Sequence, residues 1–249
     1  MGPLASSTAV TGQSLPPWRP ARLEALLFDL DGTLLDTLPD IALALNRSLA
    51  ESGFGDVSTL QARSWIGRGG AVLIERAFAA LGVRASECDR QRVLERYFAH
   101  YAALQAAGES AALPFAGVEA ALPALRAQGL KLAVVTNKQH ALAVGALAHA
   151  RLAESFELVV GGDSCAFRKP DPEPLRYACR ELAVATSNCV MVGDSINDVL
   201  AARAAGMPVV CVPYGYNEGQ PAEALPCDAL IAGLDALPGL LGPRMPSTG

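Results

Sequence analysis

Apolar residues in this chain fall into two rhythms. Ala25 to Phe28 is an unbroken apolar run, the mark of a strand buried on both faces as in a parallel sheet. From Leu38 to Ser52 the apolar positions recur at Ile41, Leu45 and Leu49, which is helical spacing. Ser58 is placed to cap a short helix, Gly69 to Leu81 forms another, and Ser86 is placed to cap a long one striped by Val93, Tyr97, Tyr101 and Leu104. Its charges Asp89, Arg90, Arg92, Glu95 and Arg96 are a solvated face. No strand is predicted between residues 38 and 113.

Beyond that stretch, helices alternate with short apolar strands. Helices are predicted over Gly117 to Gln128, Pro172 to Leu182 and Val199 to Ala205. Strands are predicted over Lys131 to Val135, Glu157 to Val160, Val190 to Val192 and Val209 to Val212. This alternation predicts an α/β fold with a doubly wound, Rossmann-like, mostly parallel sheet. The expected organisation is a core from residues 21–37 and 114–241 and an inserted all-helical unit over 38–113. Residues 1–20, rich in Ser, Thr, Gly and Pro, and 242–249 are expected to be disordered tails.

Polar groups gather where the predicted strands end. Asp29 and Asp31, two positions apart, leave the same side of the chain, and Gly32 permits a tight turn after them. Two like charges so close call for a cation or one shared proton. Thr136 and Asn137 follow the second strand, Lys169 precedes a helix, and Asp194 and Asp198 follow the fourth strand. Strand ends in such a sheet converge on one crevice. A carboxylate set without Cys or His suits a hard cation, most simply magnesium. A hydroxyl, amides and a lysine beside it suit a phosphoryl group.

Composition narrows the partners. A net charge of −5 argues against nucleic acid, and no apolar run approaches a membrane span. No basic start followed by an apolar core marks a secretory signal, and the six cysteines have no metal-type spacing, so a reducing cytoplasm is expected. Lysine is scarce: Lys131, Lys138 and Lys169 stand against seventeen arginines. No Gly-rich loop with Lys-Ser/Thr is present, which argues against a nucleotide-triphosphate hydrolase of the P-loop kind.

Asp29-Leu30-Asp31-Gly32-Thr33, Thr136-Asn137, Lys169-Pro170 and Gly193-Asp194-Ser195-Ile196-Asn197-Asp198 resemble the four ordered motifs of the haloacid dehalogenase superfamily. The helical insertion is similar to that superfamily's cap. Trp65-Ile66-Gly67-Arg68-Gly69-Gly70, Gly161-Gly162-Asp163-Ser164 and Tyr214-Gly215-Tyr216-Asn217 resemble the phosphoglycolate phosphatases.

The resemblance implies a magnesium-dependent phosphatase acting on the small phosphomonoester 2-phosphoglycolate, as a monomer or homodimer. Asp29 is implied to be the nucleophile and Asp31 the acid and base. Magnesium is implied to bind the Asp29 carboxylate, the Asp31 backbone carbonyl and Asp194, with Asp198 in support. Thr136 and the Asn137 amide are implied to hold the phosphoryl oxygens, with Lys169 offsetting charge. Arg68, in its Gly-flanked loop, is the expected reader of a substrate anion. Asp36 is expected to cap the following helix, Gly32 and Gly193 to serve turn geometry, Trp65 to anchor packing, and Tyr214 to Asn217 to pack a loop.

Rivals are relatives acting on a sugar phosphate, a nucleotide or pyrophosphate, a sugar phosphomutase, and a metal-binding regulatory protein on the same scaffold. A phosphonate hydrolase needs a cap lysine, and residues 38 to 113 contain none. A dehalogenase has no use for Asp31 as an acid.

Overall fold

A strand with every side chain buried has to lie inside a sheet covered on both faces, and Ala25–Phe28 (β1) does so. A computed structural model of the chain describes residues 16–242. After β1 come a two-residue strand β2 (Leu35–Asp36) and helices α1 (Leu38–Glu51), α2 (Thr59–Arg63), α3 (Gly70–Ala80) and α4 (Glu87–Ala106). The chain continues through β3 (Leu113–Pro114), α5 (Val118–Ala127), β4 (Lys131–Val135), α6 (His140–His149), β5 (Leu158–Val160) and α7 (Glu173–Glu181). It closes with β6 (Cys189–Gly193), α8 (Ile196–Ala205), β7 (Val209–Cys211), β8 (Ala229–Leu230) and α9 (Leu237–Leu241).

Six strands pair in the order β5-β4-β1-β6-β7-β8, every pair parallel. Two apolar clusters cover the faces. One holds Phe28, Val134, Val192 and Leu122; the other holds Leu27, Val135, Met191 and Leu175. Adjacent residues of one strand therefore serve opposite faces, as the pleat requires.

The strands end level with one another. Phe28 pairs with Val134 and Val192, so the next residues, Asp29, Val135 and Gly193, stand side by side at one rim.

Helices α1 to α4 enclose a third cluster, with Leu45, Leu49, Ile74, Phe78, Tyr97 and Tyr101 at its centre. Ser58 and Ser86 both close capping boxes, with Gln61 and Asp89 as partners, as their spacing predicts. Leu142 of α6 and Tyr216 of the core also pack into this cluster.

Besides the short β8 and α9, which the apolar pattern does not predict, three features differ from the pattern-based reading. Helix α6 is apolar all round (His-Ala-Leu-Ala-Val-Gly-Ala-Leu-Ala-His), so no stripe announces it; it is covered by the sheet on one side and α4 on the other. Strands β2 and β3, too short to show a period, pair antiparallel where the chain enters and leaves the helical unit. Residues 16–20 are structured: Trp18 packs on the first cluster and Arg19 N–H donates to the Pro16 carbonyl at 3.0 Å. One large aromatic ring anchors a segment whose composition alone reads as disordered. The rest of that tail, residues 1–15, and residues 243–249 lie outside the described residues. All six cysteines are free thiols. Among the described residues no helix is long and apolar enough to cross a membrane.

Candidate active site

Asp29 leaves the end of β1 with its N–H bonded to the Val192 carbonyl at 2.9 Å, which fixes its backbone to the neighbouring strand. Gly32, at φ 90°, turns the chain back so that its N–H reaches the Leu35 carbonyl; a Cβ there would sit 2.5 Å from Asp194 Oδ2. Gly193 has an ordinary φ, and its role differs from the expected turn geometry. A Cβ on it would stand 2.4 Å from Asp198 Cγ, so its bareness makes room for that carboxylate.

Asp29, Asp194 and Asp198 are buried and offer oxygens that lie within 4.8 Å of one another. The Lys169 ammonium, 2% exposed, reaches Asp198 at 2.6 Å and Asp29 at 3.0 Å. Asp198 is fully used as a fixture: its other oxygen accepts from Ser195 N–H and Oγ. Asp194 accepts from Thr33 Oγ1 at 2.9 Å and from the Tyr216 and Asn217 N–H groups. The Asp31 carboxylate turns elsewhere, to Thr37 Oγ1 at 2.7 Å and Lys138 Nζ at 3.0 Å.

Burial pushes the Asp29 carboxyl up to about 6, with Asp198 and Asp31 adding to the effect and Lys169 opposing it. Burial, then the charges of Asp198 and Asp29, push Asp194 up to about 7 against the hydrogen bonds from Tyr216 and Thr33. Burial works against the Lys169 ammonium too, but Asp198 and Asp29 outweigh it and hold its pKa above the ordinary value. The site is short of positive charge. Four carboxylates face two ammonium groups, an excess of two negative charges that matches a divalent cation. The all-oxygen trio fits such an ion in chemistry and spacing.

A cavity opens beside these groups, walled by Asp29, Asp31, Thr136, Asn137 and Lys138 below and by Ile41, Trp65, Ile66, Leu73 and Phe98 above.

The expected residues are not all brought together. Asp29, Asp31, Thr136 and Asn137 share the cavity wall, and Lys169, Asp194 and Asp198 stand behind it. The Asn137 side-chain amide is committed to the carbonyls of Gly67 and Lys169, at 2.8 Å each, which leaves its backbone N–H for a ligand. Arg68 is not brought to the wall. Its side chain is half exposed and pairs with Glu218 at 2.8 Å, beside Arg76, which also pairs with Glu218. Trp65 does line the cavity as well as packing. Asp36 accepts from the Leu38 N–H at 3.3 Å, as a capping residue does, and also takes the Tyr216 hydroxyl at 2.7 Å.

Sequence reasoning undervalued one loop and missed one residue. Tyr214 to Glu218 does more than pack. It holds Asp194, caps α1 through the Tyr216 hydroxyl and ties the helical unit to the core through Glu218. Lys138 went unassigned, although one lysine of only three, directly after Thr136-Asn137, is a usable signal.

Residues 26–212 match the family model for haloacid dehalogenase-like hydrolases. The chain is 48% identical over 222 residues to a plasmid-borne phosphoglycolate phosphatase of Cupriavidus necator, a match spanning 88% of this chain and 93% of that protein. It is 42% identical to the phosphoglycolate phosphatase of Nitrosospira multiformis over 86% of this chain and 94% of that one. The crystal structure of a predicted phosphoglycolate phosphatase from Haemophilus somnus superimposes with a TM-score of 0.82 at 30% identity, covering 88% of this chain and 98% of the other. The chain therefore belongs to the haloacid dehalogenase-like hydrolases and, within them, to the phosphoglycolate phosphatase family.

Proposed function

We propose that this protein is a magnesium-dependent phosphomonoesterase that hydrolyses 2-phosphoglycolate to glycolate and phosphate. The observation that carries the reading is the cavity wall, which sets Asp29, Asp31 and Thr136 beside the buried carboxylates Asp194 and Asp198. The names of the relatives supply the substrate.

Asp29 attacks phosphorus as the ester P–O bond breaks, forming an aspartyl-phosphate. Asp31 gives a proton to the departing alkoxide and later removes one from the water that releases phosphate. The Asp29 and Asp194 carboxylates and the Asp31 carbonyl, with Asp198 in support, would hold magnesium, which when bound would supply positive charge to offset that of the phosphoryl group. Thr136 Oγ1 and the Asn137 backbone N–H donate to those oxygens, and Lys169 steadies Asp29. Helices α1 to α4 act as a cap that excludes water other than the attacking one. The free thiols suit a cytoplasmic enzyme.

Free phosphate released from phosphoglycolate, glucose phosphate, a nucleoside monophosphate and pyrophosphate, with magnesium and with EDTA, tests this. Phosphoglycolate is expected to have the highest kcat/KM, and turnover to vanish in EDTA and in Asp29→Asn. A nucleotide or sugar phosphate turned over faster than phosphoglycolate overturns the substrate.

A further inference from the structure

The core of the site explains affinity for a phosphoryl group but does not say how one small ester is told from another. That choice needs a group facing the leaving half of the substrate. Arg68, the expected reader, is bound to Glu218 outside the cavity wall. Among the described residues that line the cavity, the helical unit contributes apolar Ile41, Ile66, Leu73 and Phe98 and two neutral donors, Trp65 and Tyr97, but no charge, and the single cation is Lys138.

Lys138 is built for a ligand. Its side chain is 5% exposed, and its ammonium stands 4.2 Å from the centre of the Tyr101 ring, at the seam between helix α4 and the core. A buried ammonium carries three N–H donors and needs acceptors for them. Its acceptors in the protein are the two oxygens of Asp31, at 3.0 and 3.3 Å. The Tyr101 face attracts the charge but is no lone-pair acceptor of the carboxylate kind.

The contact with Asp31 also sets the position. If Asp31 protonates the ester oxygen, as proposed above, the ammonium beside it stands close to whatever the adjacent carbon carries. In 2-phosphoglycolate a single methylene separates that oxygen from the carboxylate.

We propose that Lys138 is the specificity-determining residue of this site: its ammonium receives an anionic group borne on the carbon next to the scissile ester oxygen. This rests on the reading of the cavity as a phosphomonoesterase site, and for 2-phosphoglycolate the group received is the carboxylate. Substrates with a neutral group there leave the ammonium desolvated and short of an acceptor, so they are discriminated against.

The test compares kcat/KM for 2-phosphoglycolate with that for its uncharged relatives, 2-phosphoglycolamide and ethyl phosphate, in wild type and in Lys138→Met. The three esters all leave as alkoxides of similar basicity, so an effect of the substitution through Asp31 falls on all of them and largely cancels in the ratio. A charge-assisted contact in a closed site is worth about tenfold to a hundredfold. The wild type is expected to prefer phosphoglycolate by at least that factor, and Lys138→Met to abolish the preference whatever happens to absolute rates. Lys138→Arg, which keeps the charge, is expected to restore part of it. A preference that survives in Lys138→Met overturns the role of Lys138 and leaves the phosphatase reading standing. No preference in the wild type overturns the substrate itself. If the Met variant fails to fold, Lys138→Gln takes the same reading.

Discussion

The Lys169 ammonium stands 3.0 Å from the Asp29 carboxylate, and both are closed off from solvent. Removing one partner of a buried pair leaves the other uncompensated, at a cost of about 3–5 kcal/mol. Lys169→Met is therefore expected to lower the melting temperature sharply in EDTA and less so with magnesium, which offsets part of the missing charge. Turnover falls by about 10²–10³-fold, as for loss of one preorganised electrostatic group. Calorimetry with and without metal checks the first part; a variant as stable as wild type in EDTA contradicts it.

Asp31 is held between Thr37 and Lys138 and stands apart from the carboxylate trio, which suits the proton-carrying role proposed for it. Asp31→Asn should cost phosphoglycolate about 10²–10⁴-fold. p-Nitrophenyl phosphate, whose leaving group needs little protonation, should lose far less. Equal losses would assign the acid elsewhere.

Stability should depend on pH through Asp29 and Asp194. Their carboxyls are raised in the fold to about 6 and about 7 from an ordinary 3.8. The fold therefore binds these protons more tightly than the unfolded chain. The resulting stabilisation is complete below about pH 4 and is lost as pH rises through about 6 to 7. In EDTA these two groups should make the protein melt lower at pH 8 than at pH 5. A divalent ion competes with the same protons, so its affinity should rise over that interval with proton release on binding. Melting curves and titration calorimetry in two buffers of different ionisation heat read both effects. Metal affinity that falls with rising pH contradicts the assignment.

Glu218 joins the helical unit to the core by accepting from Arg68, Arg76 and Asn197. It is itself held by backbone at φ 49° in a loop where Asn217 is also left-handed. Glu218→Ala should raise KM for phosphoglycolate and p-nitrophenyl phosphate alike, since it loosens closure rather than a substrate contact. Arg68→Ala, removing a half-exposed partner worth about 0.2–1 kcal/mol, should change both by less than about fivefold. Selective damage to phosphoglycolate in Arg68→Ala would return that arginine to the substrate.

The sheet was legible because buried parallel strands are written as short apolar runs, and the carboxylates because each follows such a run directly. Helix α6 was not, since its exposed positions Ala141, Val144 and Ala148 are apolar too, which removes the contrast that makes a stripe. The pairing of Arg68 was hidden for a related reason. A cation between glycines reads as a ligand when its partner, Glu218, lies 150 residues further along the chain. Tyr216 shows the same limit, because its hydroxyl serves Asp36 and the start of α1 from 180 residues away.

The short ribbon of β2 and β3 has a consequence for how such a chain is assembled. Leu35 and Pro114 are paired, so the insertion departs from and returns to a single point beside the sheet. The stretch between them can be exchanged for another of different length without shifting one sheet strand. The rim of the sheet, which carries both the carboxylates and Lys138, thereby stays in place whatever the length of the segment that closes over it.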